Sequence, residues 1–152
     1  MTYHQRLATP LGELTVHATN QGITAVKFDD DGGKDASRSS LTDAACQQLQ
    51  DYFEGRLQRF TLPLAATGTA FQKQVWHALA TLPFGQTVSY SAIARQLGNP
   101  NAVRAVGMAN SKNPIAIIVP CHRVIGANGT LTGYAGGLSR KAYLLKHEGV
   151  NI

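Results

Sequence analysis

"SYSAIARQLGNPNAVRAVGMANSKNP", residues 89 to 114, decides how the second half of the chain folds. Tyr90, Ile93, Ala94 and Leu97 recur at three- and four-residue spacing, the period of one helix face. Gly98 closes that helix, because glycine enters the left-handed backbone of a helix end without steric cost. Asn99 is a candidate cap for a second helix, and Pro100 suits its first position, where no backbone N–H is needed. Two short helices joined by so tight a turn predict a helix-turn-helix. On the second helix Ala102, Val106 and Ala109 form the apolar side, and Arg104, Gly107 and Ser111 share the opposite one. Small residues around a long cation let a helix backbone approach a nucleic-acid groove; a solvent-facing arginine on an ordinary helix is the equally simple alternative.

Downstream, Ile115 to Val119 is an apolar run of strand type, which Pro120 ends by withholding a ladder N–H. Cys121, His122 and Arg123 follow before the chain turns apolar again. The loop "GANGTLTGYAGG", residues 126 to 137, carries five glycines and is too long for a plain connection. Loops of this kind often line sites. "SRKAYLLKHEG", residues 139 to 149, reads as a last helix with Ser139 as its cap and Gly149 as its stop. Glu148 falls at its carboxyl end, where the helix dipole disfavours an anion, so a specific partner is expected for it.

Upstream, Thr69 can cap a helix whose stripe is Phe71, Val75, Ala78, Leu79 and Leu82, ended by Pro83-Phe84-Gly85. The connector "FTLPLAATGT" before it separates an N-terminal α/β domain, residues 1–66, from a C-terminal domain, residues 67–152. The first thirty residues hold three β runs, "TYHQRLAT", "GELTVHAT" and "GITAVKF", parted by Pro10-Leu11-Gly12 and Asn20-Gln21-Gly22, which predicts an antiparallel meander. "DDDGGKDASRSS" is a surface loop, and "LTDAACQQLQDYFEG" a helix with Leu41, Ala45, Leu49 and Tyr52/Phe53 on one face. Cys46, beside that stripe, is read as packing. The fold class is mixed α/β, of α+β type.

A chain of 152 residues with 43% hydrophobic content can bury a core without covalent staples. Cys46 and Cys121 lie far apart, with no CxxC and no dense His/Cys cluster, so neither a disulfide nor a metal site is expected. No signal-peptide pattern and no apolar run near the roughly 18 residues of a membrane span is present. A cytoplasmic home is expected, or a nuclear one in a eukaryote. The net charge of +5 is unevenly spread. Residues 1 to 54 hold eight acids against four Lys/Arg, a net of −4, while residues 55 to 152 hold ten Lys/Arg against one acid, a net of +9. That acid is Glu148, and so basic a second half fits a polyanion partner as well as a merely basic surface.

A thiol attacks only as thiolate, so a nucleophilic Cys121 needs a base or a cation to lower its pKa from roughly 8.5. His122, Arg123 and Lys141 are the candidates, with Glu148 available to orient an imidazole. Adjacent side chains of an extended strand point to opposite faces, so His122 can serve Cys121 only if the chain turns at Pro120-Cys121 or a water bridges the two. Taken singly, Cys121 reads equally as a buried hydrophobe at a strand end, His122 as a structural histidine, and Tyr90 and Tyr134 as packing.

Together, "PCHRV" after an apolar run, "RAVG" and "NP" before it, and "GYAGG" and "K…LLKHEG" after it resemble the O6-alkylguanine-DNA alkyltransferases, also called methylated-DNA-protein-cysteine methyltransferases. The resemblance spans about Phe71 to Gly149 and rests on an ordered set of motifs. The first sixty-odd residues are similar, in their outline of strands followed by a helix, to the family's small ribonuclease-H-like domain. The resemblance implies an antiparallel sheet with a helix, then a mostly helical domain with a winged helix-turn-helix. It further implies a suicide enzyme for DNA repair, in which Cys121 takes the alkyl group from O6 of a flipped guanine, or from O4 of a methylated thymine, once only. His122, through a water, and Glu148 would generate the thiolate, Asn113 would hold the site together, and Tyr90 would give a proton or hydrogen bond to the leaving guanine. Arg104 would fill the gap left in the duplex, with Ala102, Gly107 and Ser111 on the same DNA-binding helix in the minor groove. Tyr134, with the backbone of Val119, Val124, Ala135 and Gly136, would line the base pocket, and Lys141 would lie near the acceptor.

The implied partner is double-stranded DNA carrying O6-alkylguanine, bound by a monomer, with no cofactor, no metal and no membrane. Ala135 stands where "GYSGG" is common, leaving only a backbone N–H there, and Ser111 replaces a second arginine of some members. The Cys/His zinc set of certain members is absent, and the regulatory domain of the adaptive-response type is not expected. Two other functions use the same residues: a DNA-binding module that senses lesions without chemistry, and a cysteine hydrolase, against which the lack of an oxyanion-hole motif counts.

Overall fold

A computed structural model of the chain describes residues 2–30 and 37–152. Residues 31–36, the centre of the expected surface loop, lie outside the described residues. The chain forms two compact units, one of Met1–Thr67 with Pro114–Ile118, the other of Gly68–Asn113 with Val119–Ile152.

In the first unit β1 (Tyr3–Thr9), β2 (Gly12–Ala18) and β3 (Ile23–Phe28) make an antiparallel sheet in sequence order. Thr9 pairs with Gly12, so Pro10-Leu11 is a two-residue connection, and Gly12 takes the φ of 110° that a side chain would resist. Alternation along β2 puts Leu14, Val16 and Ala18 on one face, all fully buried. α1 (Ser40–Phe53) packs on β1 and β2 with Ala45, Leu49 and Tyr52 buried. Cys46 is buried with them, and burial pushes its thiol pKa up to about 11, as suits a packing residue. Ser39 caps α1: its hydroxyl accepts from Thr42 N–H while the Thr42 hydroxyl accepts from Ser39 N–H. That reciprocal pair draws Thr42 into the core and leaves Leu41, expected on the stripe, only half-buried.

The expected strand from Ile115 to Val119 does not form. Ile115 makes one isolated parallel bridge to Val26, with Val26 N–H donating to Pro114 O and Ala116 N–H to Val26 O. The backbone then bends back on itself, Ile118 N–H donating to Ala116 O at 2.8 Å with Ile117 at a φ of 70°. This is the γ-turn of positive φ, rare for a β-branched residue and costing on the order of 1–3 kcal/mol. A second, inverse γ-turn follows at Pro120, φ −82° and ψ 65°, where Cys121 N–H donates to Val119 O. Ile115, Ile117, Ile118 and Val119 are all buried, so an apolar run that reads as a strand is satisfied by packing and not by a ladder.

The second unit holds α2 (Ala70–Ala80), α3 (Tyr90–Gln96), α4 (Val103–Ser111) and α5 (Leu138–His147), with β4 (Val88–Ser89) parallel to β5 (Val124–Ile125). Thr69 and Gln72 close a capping box on α2. Val75, Leu79, Ile93, Val106, Leu144 and Leu145 are among the buried apolar residues that the four helices contribute to this unit. Trp76 Nε1–H donates to Ala109 O at 2.8 Å and ties α2 to α4 inside the core. α3 and α4 pack as the helix-turn-helix, but Asn99 is not a cap. Ala102 N–H donates to Asn99 O, closing a β-turn with Pro100 in its second position, and α4 begins only at Val103 without a side-chain cap. Ala102 is therefore half-buried at the helix start instead of lying on its apolar face. Nor does Ser139 cap α5: Gly137, at a φ of 94° after a turn closed onto Tyr134 O, sets the start two residues earlier. Among the described residues no helix is long and apolar enough to cross a membrane.

Candidate active site

Pro120 and the single 3-10 turn of Cys121–Arg123 swing three successive side chains in different directions, so neighbours in sequence need not lie on opposite faces. Val119 O accepts two hydrogen bonds, from Cys121 N–H at 2.8 Å and from Asn113 Nδ2 at 2.9 Å. The Asn113 side chain also bonds the thiol. Cys121 is buried, and burial raises its pKa by more than the Asn113 bond and the Lys141 charge lower it. The resting group is therefore a thiol.

His122 is fully buried and pairs Nε2 with Glu148 Oε2 at 2.7 Å. Burial drives its pKa down, with Glu148 opposing, so the imidazole is neutral. With Nε2–H donated to the carboxylate, Nδ1 carries the lone pair, and among the described residues it meets no hydrogen-bond partner. Among those residues no hydrogen bond joins it directly to Cys121. Glu148 is held by three further donors: Arg123 Nε to Oε1 at 2.8 Å, Arg123 Nη2 to Oε2 at 3.0 Å, and Gly85 N–H to Oε1 at 3.0 Å. Arg123 Nη1 donates to Leu82 O. Arg123, a candidate cation for the thiol, is thus committed to the carboxylate. The ill-placed acid at the end of α5 is explained by this charged cradle, whose attraction outweighs a helix-dipole effect of about 0.3–1 kcal/mol.

Lys141 enters from α5, fully buried, and donates to Val124 O at 2.5 Å and Thr132 O at 2.6 Å. Burial lowers its pKa to about 8, against a small upward pull from Cys121. Tyr90, the first residue of α3, donates its hydroxyl to Thr132 O and accepts from the Thr132 hydroxyl, each at 3.2 Å. The Tyr134 hydroxyl is buried without a hydrogen-bond partner among the described residues, and burial and Cys121 hold its pKa well above 10. Val119 and Val124 are buried, Gly136 half-buried and Ala135 exposed. Val119 O thus joins Cys121 to Asn113, Thr132 O joins Lys141 to Tyr90, and His122 pairs directly with Glu148. Arg104 and Ser111 stand apart from them on the exposed face of α4, and Gly107 lies beside the Tyr90 ring, where an added Cβ would sit 3.9 Å away. Among the described residues no three His, Cys, Asp or Glu side chains gather to hold a metal ion.

The family described as 6-O-methylguanine DNA methyltransferase, ribonuclease-like domain, matches residues 2–66, and its DNA binding domain matches residues 70–150. The chain belongs to the 6-O-methylguanine DNA methyltransferase family. It is 48% identical to the methylated-DNA--protein-cysteine methyltransferase of Methanosarcina acetivorans, covering 97% of this chain and 98% of that one. It is 51% identical to the Salmonella typhimurium protein of the same name over 90% of this chain and 74% of that one. Among solved structures, Mycobacterium tuberculosis OGT in complex with DNA matches with a TM-score of 0.88 and 46% identity, over 95% of this chain and 91% of that chain.

Within this methyltransferase fold, three groups around the site escaped the sequence reading. Arg123 was legible only as a nearby cation, although the lone acid of the basic half next needs a buried partner. Gly85 N–H and the Thr132 carbonyl are backbone groups, and no residue type announces where a backbone group points.

Proposed function

We infer that the chain repairs DNA by direct, irreversible, single-turnover transfer of an alkyl group from O6 of guanine to Cys121. The observation that carries this reading is a buried thiol bonded by Asn113 and served by a neutral, carboxylate-anchored imidazole. A thioether, once formed, is not cleaved by water, so the acceptor is spent after one transfer.

The division of labour follows from the chemistry of each group. His122 Nδ1 takes the thiol proton through a water, and Glu148 stabilises the imidazolium while Arg123 and Gly85 keep the carboxylate in place. Sγ then attacks the alkyl carbon in line, the C–O6 bond breaks, and its electron pair stays on the guanine. Tyr90 gives the departing base a proton or hydrogen bond. Residues 67–152 form the DNA-binding and acceptor domain. Its α4 enters the minor groove of double-stranded DNA, with Ala102, Gly107 and Ser111 against the backbone and Arg104 in the space vacated by the flipped nucleotide. Flipping costs a few kcal/mol, which basic contacts to phosphate offset. Tyr134 and the backbone of Val119, Val124, Ala135 and Gly136 line the base pocket, and Lys141 lies near the acceptor. O4-methylthymine is a second substrate of the same chemistry. The protein acts as a monomer in the cytoplasm, or in the nucleus of a eukaryotic cell.

A duplex labelled on the methyl of O6-methylguanine tests this. Label should move to protein up to one equivalent and no further, with the mass increment on the Cys121 peptide. Transfer that survives Cys121→Ala would sink the assignment, and tight binding without any increment would make the chain a lesion sensor instead.

A further inference from the structure

The glycine-rich loop does more than wall a pocket, because among the described residues Thr132 makes both hydrogen bonds of the Tyr90 hydroxyl. Tyr90 Oη donates to Thr132 O and accepts from Thr132 Oγ1, both at 3.2 Å. Thr132 O also accepts from Lys141 Nζ at 2.6 Å. Gly133, at a φ of 44°, gives the loop the left-handed backbone it takes beside Thr132, and an added Cβ would make only ordinary contact, 3.6 Å, with Tyr90 Oη.

A phenol has one proton to give. In the free protein that proton rests on Thr132 O, and it must leave that acceptor before it can serve anything else. Two features make the move inexpensive. Thr132 O keeps its bond from Lys141, so no carbonyl is stranded when the phenol proton turns away. The Thr132 hydroxyl goes on donating to Oη, which holds the oxygen in place and polarises its O–H toward a new acceptor.

We propose that Thr132 is a positioning residue for Tyr90 in alkyl transfer: its carbonyl parks the phenol proton, and its hydroxyl supports the phenol oxygen once that proton is turned to the departing guanine. The inference rests on the function given above. In the step concerned, the Sγ–C bond forms as C–O6 breaks, the pair stays with guanine, and the thiol proton passes toward His122. The Tyr90 proton meets the negative charge growing on the base, and the charge left on Oη faces the Thr132 hydroxyl. Toward the phenol, Lys141 serves by keeping Thr132 O satisfied.

Single-turnover transfer from a methylated duplex, with protein in excess, tests the proposal. Thr132→Val removes the hydroxyl and keeps both the shape and the carbonyl. It should slow transfer about ten- to a hundredfold, as loss of one hydrogen bond to a developing charge does, and leave duplex affinity unchanged. Thr132→Ala should show the same loss if Val packs poorly, and Thr132→Ser should restore the rate to within about threefold. In a Tyr90→Phe background, Thr132→Val should cost nothing more, since its partner atom is gone. Wild-type rates in both Thr132→Val and Thr132→Ala would overturn the proposal, as would an equal loss in the Tyr90→Phe background. A wild-type chain that moves no methyl group overturns the function itself, and the inference with it.

Discussion

Arg123 and Glu148 meet through two parallel hydrogen bonds, Nε to Oε1 at 2.8 Å and Nη2 to Oε2 at 3.0 Å, with both side chains out of solvent. The same carboxylate orients His122, so the pair carries structure and chemistry at once.

Removing the guanidinium therefore leaves a buried carboxylate without its cation, beside a neutral imidazole and the Gly85 N–H. Arg123→Met should lower unfolding free energy by about 3–5 kcal/mol, measured by urea denaturation. A change below about 1 kcal/mol would mean that water reaches Glu148.

Burial keeps the His122 pKa below its ordinary 6.5, so between that lower value and 6.5 the unfolded chain binds a proton that the folded chain refuses. Its contribution to stability is complete above 6.5 and shrinks as the pH falls below it. Melting temperature followed from about pH 8 to about pH 5 should decline, and decline less in His122→Gln, which has no proton to refuse. Parallel slopes in the two proteins would contradict the assignment.

Lys141 lowers the Cys121 pKa by its charge, and it has no acid beside it to cancel that effect among its hydrogen bonds. Lys141→Met should move thiol ionisation to higher pH, read from the pH dependence of thiolate absorbance or of alkylation by iodoacetamide. An unmoved midpoint would show that burial and Asn113 set the thiol without it.

Methylation of Cys121 places an added carbon in a buried site already filled by Asn113 and Val119. The methylated form should be less stable by roughly 1–3 kcal/mol, the cost of overpacking. Equal melting temperatures before and after complete transfer would argue for unfilled space there.

How far the fold and the site could be read beforehand differed by the kind of information involved. The meander, the four helices of the second unit and the caps at Thr69 and Gly149 follow from periodicity and side-chain chemistry that act within a few residues. Asn99 and Ser139 are good caps by type, yet a β-turn at Pro100 and a left-handed Gly137 settled the helix starts. Ile115 to Val119 is apolar for a reason that composition cannot separate from strand formation: its four large side chains are buried while the backbone makes two γ-turns. At the site, Glu148 was conspicuous because its place was unfavourable. The Thr132 carbonyl and the Gly85 N–H were not, because tertiary folding alone aims them.

The second unit has one acidic side chain, and it is sealed inside. Lys73, Arg95, Arg104, Lys112 and Lys146 are exposed on a unit whose side chains show water no negative charge. Their neutralisation falls to dissolved anions, held within a screening length of about 8–10 Å. A polyanion that docks there displaces those ions into solution, so part of the driving force is the entropy of their release, and it weakens as ionic strength rises. Placing its sole acid in the buried cradle of Arg123 and Gly85 thus also sets how the unit responds to salt.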